Sequence, residues 1–179
     1  MAADQDFIVR EAEPADAAAV IACAQTVFNE PGVMVLTSPG EFHPTLAEEQ
    51  QILADHHAAA NSVFLIAVAG SDVIGILNCS GGRRRGNRHV ALLGMSVRRE
   101  WRDRGAGSAL MARAIEWARN SGVVTRLELD VYVENARARH LYEKFGFVIE
   151  GTAKQYALRA GEYVDAYYMA RVRPSSAST

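Results

Sequence analysis

The sequence predicts an α/β (α+β) fold in which a mixed sheet of about seven strands carries helices on both faces. Short β-rich segments and longer amphipathic segments follow one another in the order β-α-α-β-β-β-α-β-α-β-β. The chain has 179 residues, which is enough for about one domain. Because strands and helices do not alternate strictly, a doubly wound parallel sheet is disfavoured.

The first third of the chain is predicted to be mainly helical. The expected elements are a strand at residues 7–10, helices at 16–28 and 45–60, and a loop at 29–44. Thr45 and Glu48 have the spacing of a capping box for the second helix. The loop is rich in proline and glycine and is long for a compact domain, so we expect it to be functional or mobile.

The remaining elements are predicted from changes in the hydrophobic period. Strands are expected at 63–69, 73–79, 89–97, 126–133, 147–157 and 163–172, and helices at 105–120 and 135–144. The strand at 126–133 is the clearest, since apolar and polar residues alternate along it. Turns are expected at 70–72, 80–87 and 159–161, where glycine and polar residues cluster. We therefore expect one domain over residues 7–172 and a flexible tail at 173–179.

Composition excludes several classes of protein. The formal net charge of −2 argues against a general nucleic-acid binder, and we interpret the Arg83–Arg85 run as a charged turn. No apolar run is long enough to span a membrane, and the acidic N-terminus does not look like a secretion signal. Two cysteines suit a reducing compartment, so the cytoplasm is expected. The adjacent His56 and His57 point apart on a helix, and no metal site is predicted.

The sharpest local signal is a glycine-rich loop at residues 102–108, Arg-Asp-Arg-Gly-Ala-Gly-Ser, between a strand and a helix. Unpaired N–H groups and the helix dipole make such a position suitable for an anion. Arg102 and Arg104 add positive charge, so a phosphate or pyrophosphate is the expected ligand. These seven residues are equally compatible with a loop that uses glycine only for its backbone conformation and exposes its arginines to solvent. A Walker loop is excluded by the missing Gly-Lys-Ser/Thr, and a dinucleotide fingerprint by Leu110 at the third glycine position.

Two longer stretches resemble the GNAT superfamily of acyl-CoA-dependent N-acetyltransferases. Residues 96–118, SVRREWRDRGAGSALMARAIEWA, are similar to its motif A, and residues 127–151, LELDVYVENARARHLYEKFGFVIEG, to its motif B. The matching positions are Arg102, Gly105, Gly107, Asn135, Tyr142, Gly146 and Phe147. The similarity extends over nearly the whole chain. It implies a centrally splayed sheet, with acetyl-CoA entering between the strands at 89–97 and 126–133.

The resemblance also implies how acetyl-CoA is bound. The backbone N–H groups of seven consecutive residues would hold the pyrophosphate: Arg102, Asp103, Arg104, Gly105, Ala106, Gly107 and Ser108. The end of the preceding strand, Met95, Ser96 and Val97, would pair with the pantetheine arm. An N–H near Met95 would polarise the thioester carbonyl, because fixed donors stabilise developing negative charge. Asn135 would hydrogen-bond the arm, and Tyr142 would protonate the departing thiolate.

The general base is left open by the sequence. Many members of the resembling family carry a glutamate on the strand before motif A, but the strand at 89–97 has no acid. Glu128 and Asp130 share one face of the next strand and are the best substitutes, although solvated or ion-paired roles fit them as well. The missing base favours an acceptor with an α-amine, whose pKa of about 8 leaves roughly a tenth of it neutral at pH 7.

The expected function is transfer of an acetyl group to a small primary amine, an amino acid or close analogue being favoured. The C-terminal stretch 156–171 resembles bacterial family members that acetylate such amines. Its aromatic and acidic residues, Tyr156, Tyr163, Asp165, Tyr167 and Tyr168, and the loop residues Phe42 and His43, are candidate walls of the acceptor pocket. A protein N-terminus, an antimicrobial compound, and a non-catalytic acyl-CoA sensor remain alternatives. The resemblance also implies a homodimer.

Overall fold

The computed structural model describes residues 6–173. In chain order, its strands are β1 (Ile8–Glu11), β2 (Val63–Ala69), β3 (Asp72–Gly81), β4 (Val90–Val97), β5 (Arg126–Tyr132), β6 (Val148–Arg159) and β7 (Glu162–Val172). The α-helices are α1 (Ala17–Phe28), α2 (Leu46–Ala58), α3 (Ala106–Asn120) and α4 (Ala136–Lys144). The strands form one mixed sheet in the order β1-β2-β3-β4-β5-β7-β6. The predicted fold class is therefore confirmed.

Apolar residues cover the sheet on both faces, and each face packs against helices. Leu65 and Ile66 are neighbours on β2 and are both fully buried, one in each of two cores. The larger core lies under α3, whose stripe of apolar residues includes Leu110 and Met111. The smaller core lies under α1 and α2 and includes Leu53. Burial on both faces explains why β2 is a continuous apolar run rather than an alternating one.

The sheet opens in its centre, between β4 and β5. These two strands are parallel and pair only over three positions, from Val90 with Arg126 to Leu92 with Glu128. Beyond this point β4 continues to pair with β3, and β5 continues to pair with β7. The two halves of the sheet therefore diverge, which confirms the predicted splay.

Local boundaries differ from prediction by a few residues. The Thr45–Glu48 capping box is present, since the Glu48 N–H donates to Thr45 Oγ1 at 3.2 Å. A short 3-10 turn at Arg99–Trp101 was not expected; it connects β4 to the glycine-rich loop. Strands β3 and β6 extend two residues further than predicted, because their turns are shorter. Of the predicted flexible tail, residues 174–179 lie outside the described residues.

No helix in the described part of the chain is long and apolar enough to cross a membrane.

Candidate active site

A cleft of about 990 Å³ opens where β4 and β5 separate. Part of its lining comes from the end of β4, the glycine-rich loop, and α3 and α4; we call this the cofactor half. The rest, on the other side of the gap, comes from residues 27–36, β3 and the ends of β5 and β6; we call this the acceptor half. Most of the predicted site residues line one or the other: Met95, Ser96, Val97, Arg102, Asp103, Gly105, Gly107, Ser108, Asp130, Asn135 and Tyr142.

The edge of β4 presents unpaired backbone groups to the gap. Arg98 N donates to Ile74 O at 2.9 Å, and Gly82 N donates to Val90 O at 2.9 Å. In an antiparallel ladder alternate residues bond the partner strand, so the even-numbered residues of β4 bond β3. The backbone groups of Met95 and Val97 consequently point toward β5, beyond the last β4–β5 pair. The structure thus places the Met95 N–H where an extended ligand can pair with it.

The glycine-rich loop is curved by two residues in the left-handed region. Asp103 has a φ of 60° and Gly105, the N-cap of α3, has a φ of 90°. The first α3 amide to donate within the helix is that of Ala109, which bonds Gly105 O at 2.9 Å. The three preceding N–H groups, from Ala106 to Ser108, have no intrahelical acceptor, as at any helix start. They remain available to an anion.

Two predicted loop residues do not line the cleft. The Ala106 side chain is fully buried beneath the loop. The Arg104 guanidinium lies over the Trp101 ring, 5.6 Å from its centroid. Both can still contribute backbone N–H groups, but the Arg104 side chain is held away from the anion position.

Arg102 is held by two partners, one of which the sequence did not reveal. Its Nε donates to Val97 O at 2.9 Å, and its Nη2 lies 2.7 Å from Glu30 Oε2. Glu30 belongs to the 29–44 loop, and its side chain is only 10% exposed. In sequence this residue looks like any solvated loop carboxylate. The charge that Arg102 was expected to contribute is therefore balanced by Glu30.

Tyr142 lies in the cofactor half with its side chain almost wholly buried. The residue is 7% exposed, and burial raises the pKa of its phenol to about 12. None of the hydrogen bonds found within residues 6–173 involves its hydroxyl. At neutral pH it therefore carries a proton that it can donate, and it is not a base.

Asn135 begins α4, the helix that carries Tyr142. Its Oδ1 accepts a hydrogen bond from the Ala138 N–H at 3.1 Å, which is an N-cap. The side-chain amide nitrogen is not used by this cap. Asn135 can thus fix the start of α4 and donate to a ligand in the cleft.

The two candidate bases on β5 have different surroundings. Glu128 lies 3.0 Å from Arg126, which also pairs with Glu150, and it lines a second pocket of about 450 Å³ that shares Leu92 and Asp130 with the main cleft. Asp130 lines the main cleft and accepts a hydrogen bond from the Tyr156 hydroxyl at 2.9 Å. Of the two carboxylates, Asp130 alone borders the gap.

An irregularity in β6 brings Tyr156 to Asp130. The β6–β7 register changes between Ala153 and Ala157, and Gln155 adopts a φ of 53°, unusual for a residue with a side chain. Asp165 supports this conformation by accepting from Gln155 N at 2.9 Å. Burial and the hydrogen bond to Asp130 raise the pKa of Tyr156.

The other predicted acceptor-wall residues lie elsewhere. Tyr163 is exposed, Tyr167 packs against the larger core, and Tyr168 lines the second pocket. Phe42 packs edge-on against Phe28, with ring centroids 5.2 Å apart, and does not line the cleft; nor does His43. The walls of the acceptor half are instead Tyr132, Tyr156 and an apolar segment at residues 32–36.

Gly94 lies on β4, the strand that has no acid, and faces Asn78 on β3. A Cβ at Gly94 would lie 3.0 Å from Asn78 Oδ1. The Asn78 amide thus occupies the space beside β4, where it lines the acceptor half. Within the described residues, no group of three or more His, Cys, Asp and Glu side chains is arranged to hold a metal ion.

The known proteins that resemble this chain in sequence and fold are named as acetyltransferases. Residues 31–147 match the model of the Acetyltransferase (GNAT) family. The L-amino acid N-acetyltransferase AaaT of Escherichia coli is 42% identical over 94% of this chain and 99% of its own. A GNAT-family acetyltransferase of Streptococcus pneumoniae has a TM-score of 0.88 at 32% identity, covering 94% and 99% of the two chains. A ribosomal-protein-alanine N-acetyltransferase of Brucella melitensis has a TM-score of 0.80 at 26% identity, covering 92% and 99%.

Proposed function

The chain belongs to the GNAT family of acetyltransferases, and from that premise we propose that it acetylates the α-amine of an L-amino acid. It is an acetyl-CoA-dependent N-acetyltransferase. The observation that carries the choice of acceptor is the cleft between β4 and β5, read with the 42% identity to an L-amino acid N-acetyltransferase. Unpaired backbone amides border this cleft on one side, and Asp130 borders it on the other.

The cofactor half fits acetyl-CoA. The N–H groups of the glycine-rich loop, residues 102–108, bind the diphosphate, helped by the positive end of the α3 dipole. The free edge of β4 pairs with the amide groups of the pantetheine arm through the backbone of Met95 and Val97, in the way a strand is added to a sheet, whereas the backbone of Ser96 between them faces β3. Asn135 donates from its side-chain amide to the same arm.

Two groups of the cofactor half act on the thioester. The Met95 N–H donates to the carbonyl oxygen, where negative charge develops as the amine attacks. Tyr142 donates its proton to the sulfur as the carbon–sulfur bond breaks. A buried phenol with a raised pKa suits this role, because it retains its proton at the pH of reaction. The acetyl group moves directly from sulfur to nitrogen, with no acyl-enzyme.

Asp130 is the group proposed to accept the proton of the amine. It lies at the acceptor side of the gap, and Tyr156 holds its carboxylate by donating to Oδ2. The α-amine of a free amino acid has a lower pKa than a lysine-like amine and so loses its proton more readily, but it is still mostly protonated at pH 7. Glu128 is not assigned this role, because Arg126 neutralises it outside the main cleft.

The acceptor half fits a small, partly apolar amine. Val33, Met34, Val35 and Leu36 line one side, and Tyr132 and Tyr156 line another. Few charged groups face this volume, whereas a polyamine would require several carboxylates. A protein N-terminus and an antimicrobial amine share the α-amine or primary amine chemistry and are tested as rival acceptors.

The experiment is release of free thiol from acetyl-CoA across a panel of amines. The panel contains the L-amino acids, their D-enantiomers, N-terminal peptides of ribosomal proteins and an aminocarboxylate toxin. We expect L-amino acids to give the highest kcat/KM. Higher kcat/KM for a peptide or the toxin would reassign the acceptor, and CoA binding without thiol release from any amine would favour an acyl-CoA sensor.

Four further features complete the proposal: domain extent, compartment, metal requirement and oligomeric state. We propose one acetyltransferase domain over residues 7–172, working in the cytoplasm, where the two buried thiols Cys23 and Cys79 stay reduced. The chemistry as written needs no metal, because backbone N–H groups polarise the carbonyl. A homodimer is supported by apolar side chains exposed on the outer strand β6, among them Val148 and Ile149. Light scattering on the purified chain tests the dimer.

A further inference from the structure

Glu30 connects the two halves of the cleft. Its loop supplies residues 32–36 to the acceptor half, and its carboxylate reaches across to Arg102 in the cofactor half. Both of its carboxylate oxygens are buried. A second cation, Arg99, lies 3.7 Å from the same carboxylate, and its Nη2 donates to Pro31 O at 3.4 Å.

Arg102 continues this connection to the strand that binds the pantetheine arm. Its Nε bonds Val97 O while its Nη2 pairs with Glu30. The Val97 carbonyl belongs to the β4 edge that borders the gap. A chain of two contacts, 2.7 Å and 2.9 Å long, therefore joins the acceptor-side loop to the cofactor edge.

We infer that Glu30 is a positioning residue that couples acetyl-CoA binding to ordering of the acceptor-side loop at residues 30–36. A diphosphate on the amides of residues 102–108 restricts the loop that carries Arg102. Because Arg102 is ion-paired with Glu30, the same restriction reaches the walls of the acceptor half. Coupling of this kind is reciprocal, so a bound amine strengthens binding of acetyl-CoA by the same factor. The inference rests on the proposed function only for the identity of the amine.

The burial of Glu30 gives its ion pair with Arg102 an energetic role. A carboxylate with both oxygens removed from water is costly unless a cation faces it. Arg102, at 2.7 Å, is the nearer of the two cations in contact with it. Loosening the cofactor loop therefore weakens the pair and frees the acceptor-side loop, while fixing the cofactor loop does the opposite.

The test is hydrogen exchange of residues 30–36, measured by mass spectrometry with and without CoA. We expect CoA to slow exchange there by about fivefold or more in the native chain, the lower end of ordinary coupling between sites. Glu30→Gln keeps the shape of the side chain but removes its charge, and should abolish the slowing. Glu41→Gln is the matched control: Glu41 lies in the same loop and accepts only from Ser38 N, at 2.8 Å, so the slowing should persist.

A second variant tests the same connection from its other end. Arg102→Lys retains the charge, but one ammonium cannot reproduce the fork that serves both Glu30 and Val97. We expect it to lose most of the slowing, with thermal unfolding confirming that both variants are folded. In turnover, Glu30→Gln should raise the KM for the amine while kcat is nearly unchanged.

Two results would overturn the inference. Equal slowing in Glu30→Gln would show that CoA covers the loop directly, and no slowing in the native chain would show that the halves are independent. Failure of CoA to bind, measured first by calorimetry, would overturn this inference and the proposed function together. Intact coupling with no amine turned over would overturn the proposed function alone.

Discussion

The two halves of the cleft are built by different means. The cofactor half comes from the free edge of β4, a seven-residue loop and the helices α3 and α4, and it offers mainly backbone N–H groups. The acceptor half is assembled from four segments that are distant in sequence, and it offers side chains: Asn78, Asp130, Tyr132 and Tyr156. In the proposed function, the first binds acetyl-CoA, which every acetyl transfer shares, and the second binds the amine, which differs from one enzyme to another.

This difference teaches where variation is tolerated. Backbone amides are present whatever the side chain, so the cofactor half depends on conformation, above all the positive φ of Gly105. The acceptor half depends on side-chain identity, because each polar contact there is made by one functional group. Substitutions should therefore separate the two: conformational changes should affect CoA, and side-chain changes should affect the amine.

The largest effect is expected from Tyr142→Phe, which tests whether one side chain in the cofactor half is indispensable. Loss of the proton donor should lower kcat by about 10²–10⁴. The Kd of CoA should change little, because the ring and its packing remain. Tyr163→Phe, which alters an exposed tyrosine, is the control and should retain native kcat. Native kcat in Tyr142→Phe would remove the general acid from the mechanism.

Asp130→Asn should have the next largest effect, and this effect should appear only in the kinetic constants for the amine. With no group to take the proton, kcat/KM for the amine should fall about 100-fold, while the KM for acetyl-CoA holds. Glu128→Gln is the matched control, since that carboxylate is already paired with Arg126. A large loss in Glu128→Gln with native rates in Asp130→Asn would exchange the two assignments.

The pH profile of kcat/KM should distinguish the titration of the amine in the acceptor half from that of Tyr142 in the cofactor half. The α-amine of a free amino acid has a pKa above the value of about 8 of a chain N-terminus and becomes neutral as pH rises, so kcat/KM should increase about tenfold or more between pH 7 and 9. Burial raises the pKa of Tyr142 to about 12, which extends its proton-bearing form to higher pH. No decline should therefore appear by pH 10. A decline beginning near pH 9 would mean that the proton donor has a much lower pKa than its burial implies.

The smallest effect is expected from Gly105→Ala, which tests the dependence on conformation. A left-handed φ costs a residue with a side chain about 1–2 kcal/mol, so the Kd of CoA should rise about fivefold or more. Gly161→Ala is the matched control, because Gly161 has a φ of 84° in the β6–β7 turn. It should lose similar thermal stability without a change in CoA binding. Equal Kd values for the two variants would contradict a shaped anion site.

The same contrast explains how much could be predicted from sequence. The order of strands and helices was predicted because periodicity and turn residues are local signals, as along β5. The glycine-rich loop and Tyr142 lie within contiguous motifs, so their roles could be inferred from a resemblance. These features are determined by residues that are close together in the sequence.

What sequence could not reveal depends on contacts between distant residues. Glu30 is buried only because Arg102 reaches it from 72 positions along the chain. Tyr156 reaches Asp130 only because Gln155 adopts a left-handed φ, and Asp165 supports it from the next strand. Glu30 has no local pattern that marks it, and the sequence indicated Tyr156 only as a pocket wall, not as the partner of Asp130. The ion pair of Glu128 with Arg126, which Glu150 also contacts, likewise became visible only in the structure.

The three-pair junction between β4 and β5 also bears on how long the enzyme survives in a cell. A pantetheine arm lying in the gap supplies the interstrand bonds that the chain itself lacks, so the ligand becomes part of the folded architecture. Binding to the native state alone adds about 2.7 kcal/mol of stability when the ligand is present at 100 times its Kd. The resistance of the protein to unfolding and proteolysis would accordingly follow the supply of acetyl-CoA.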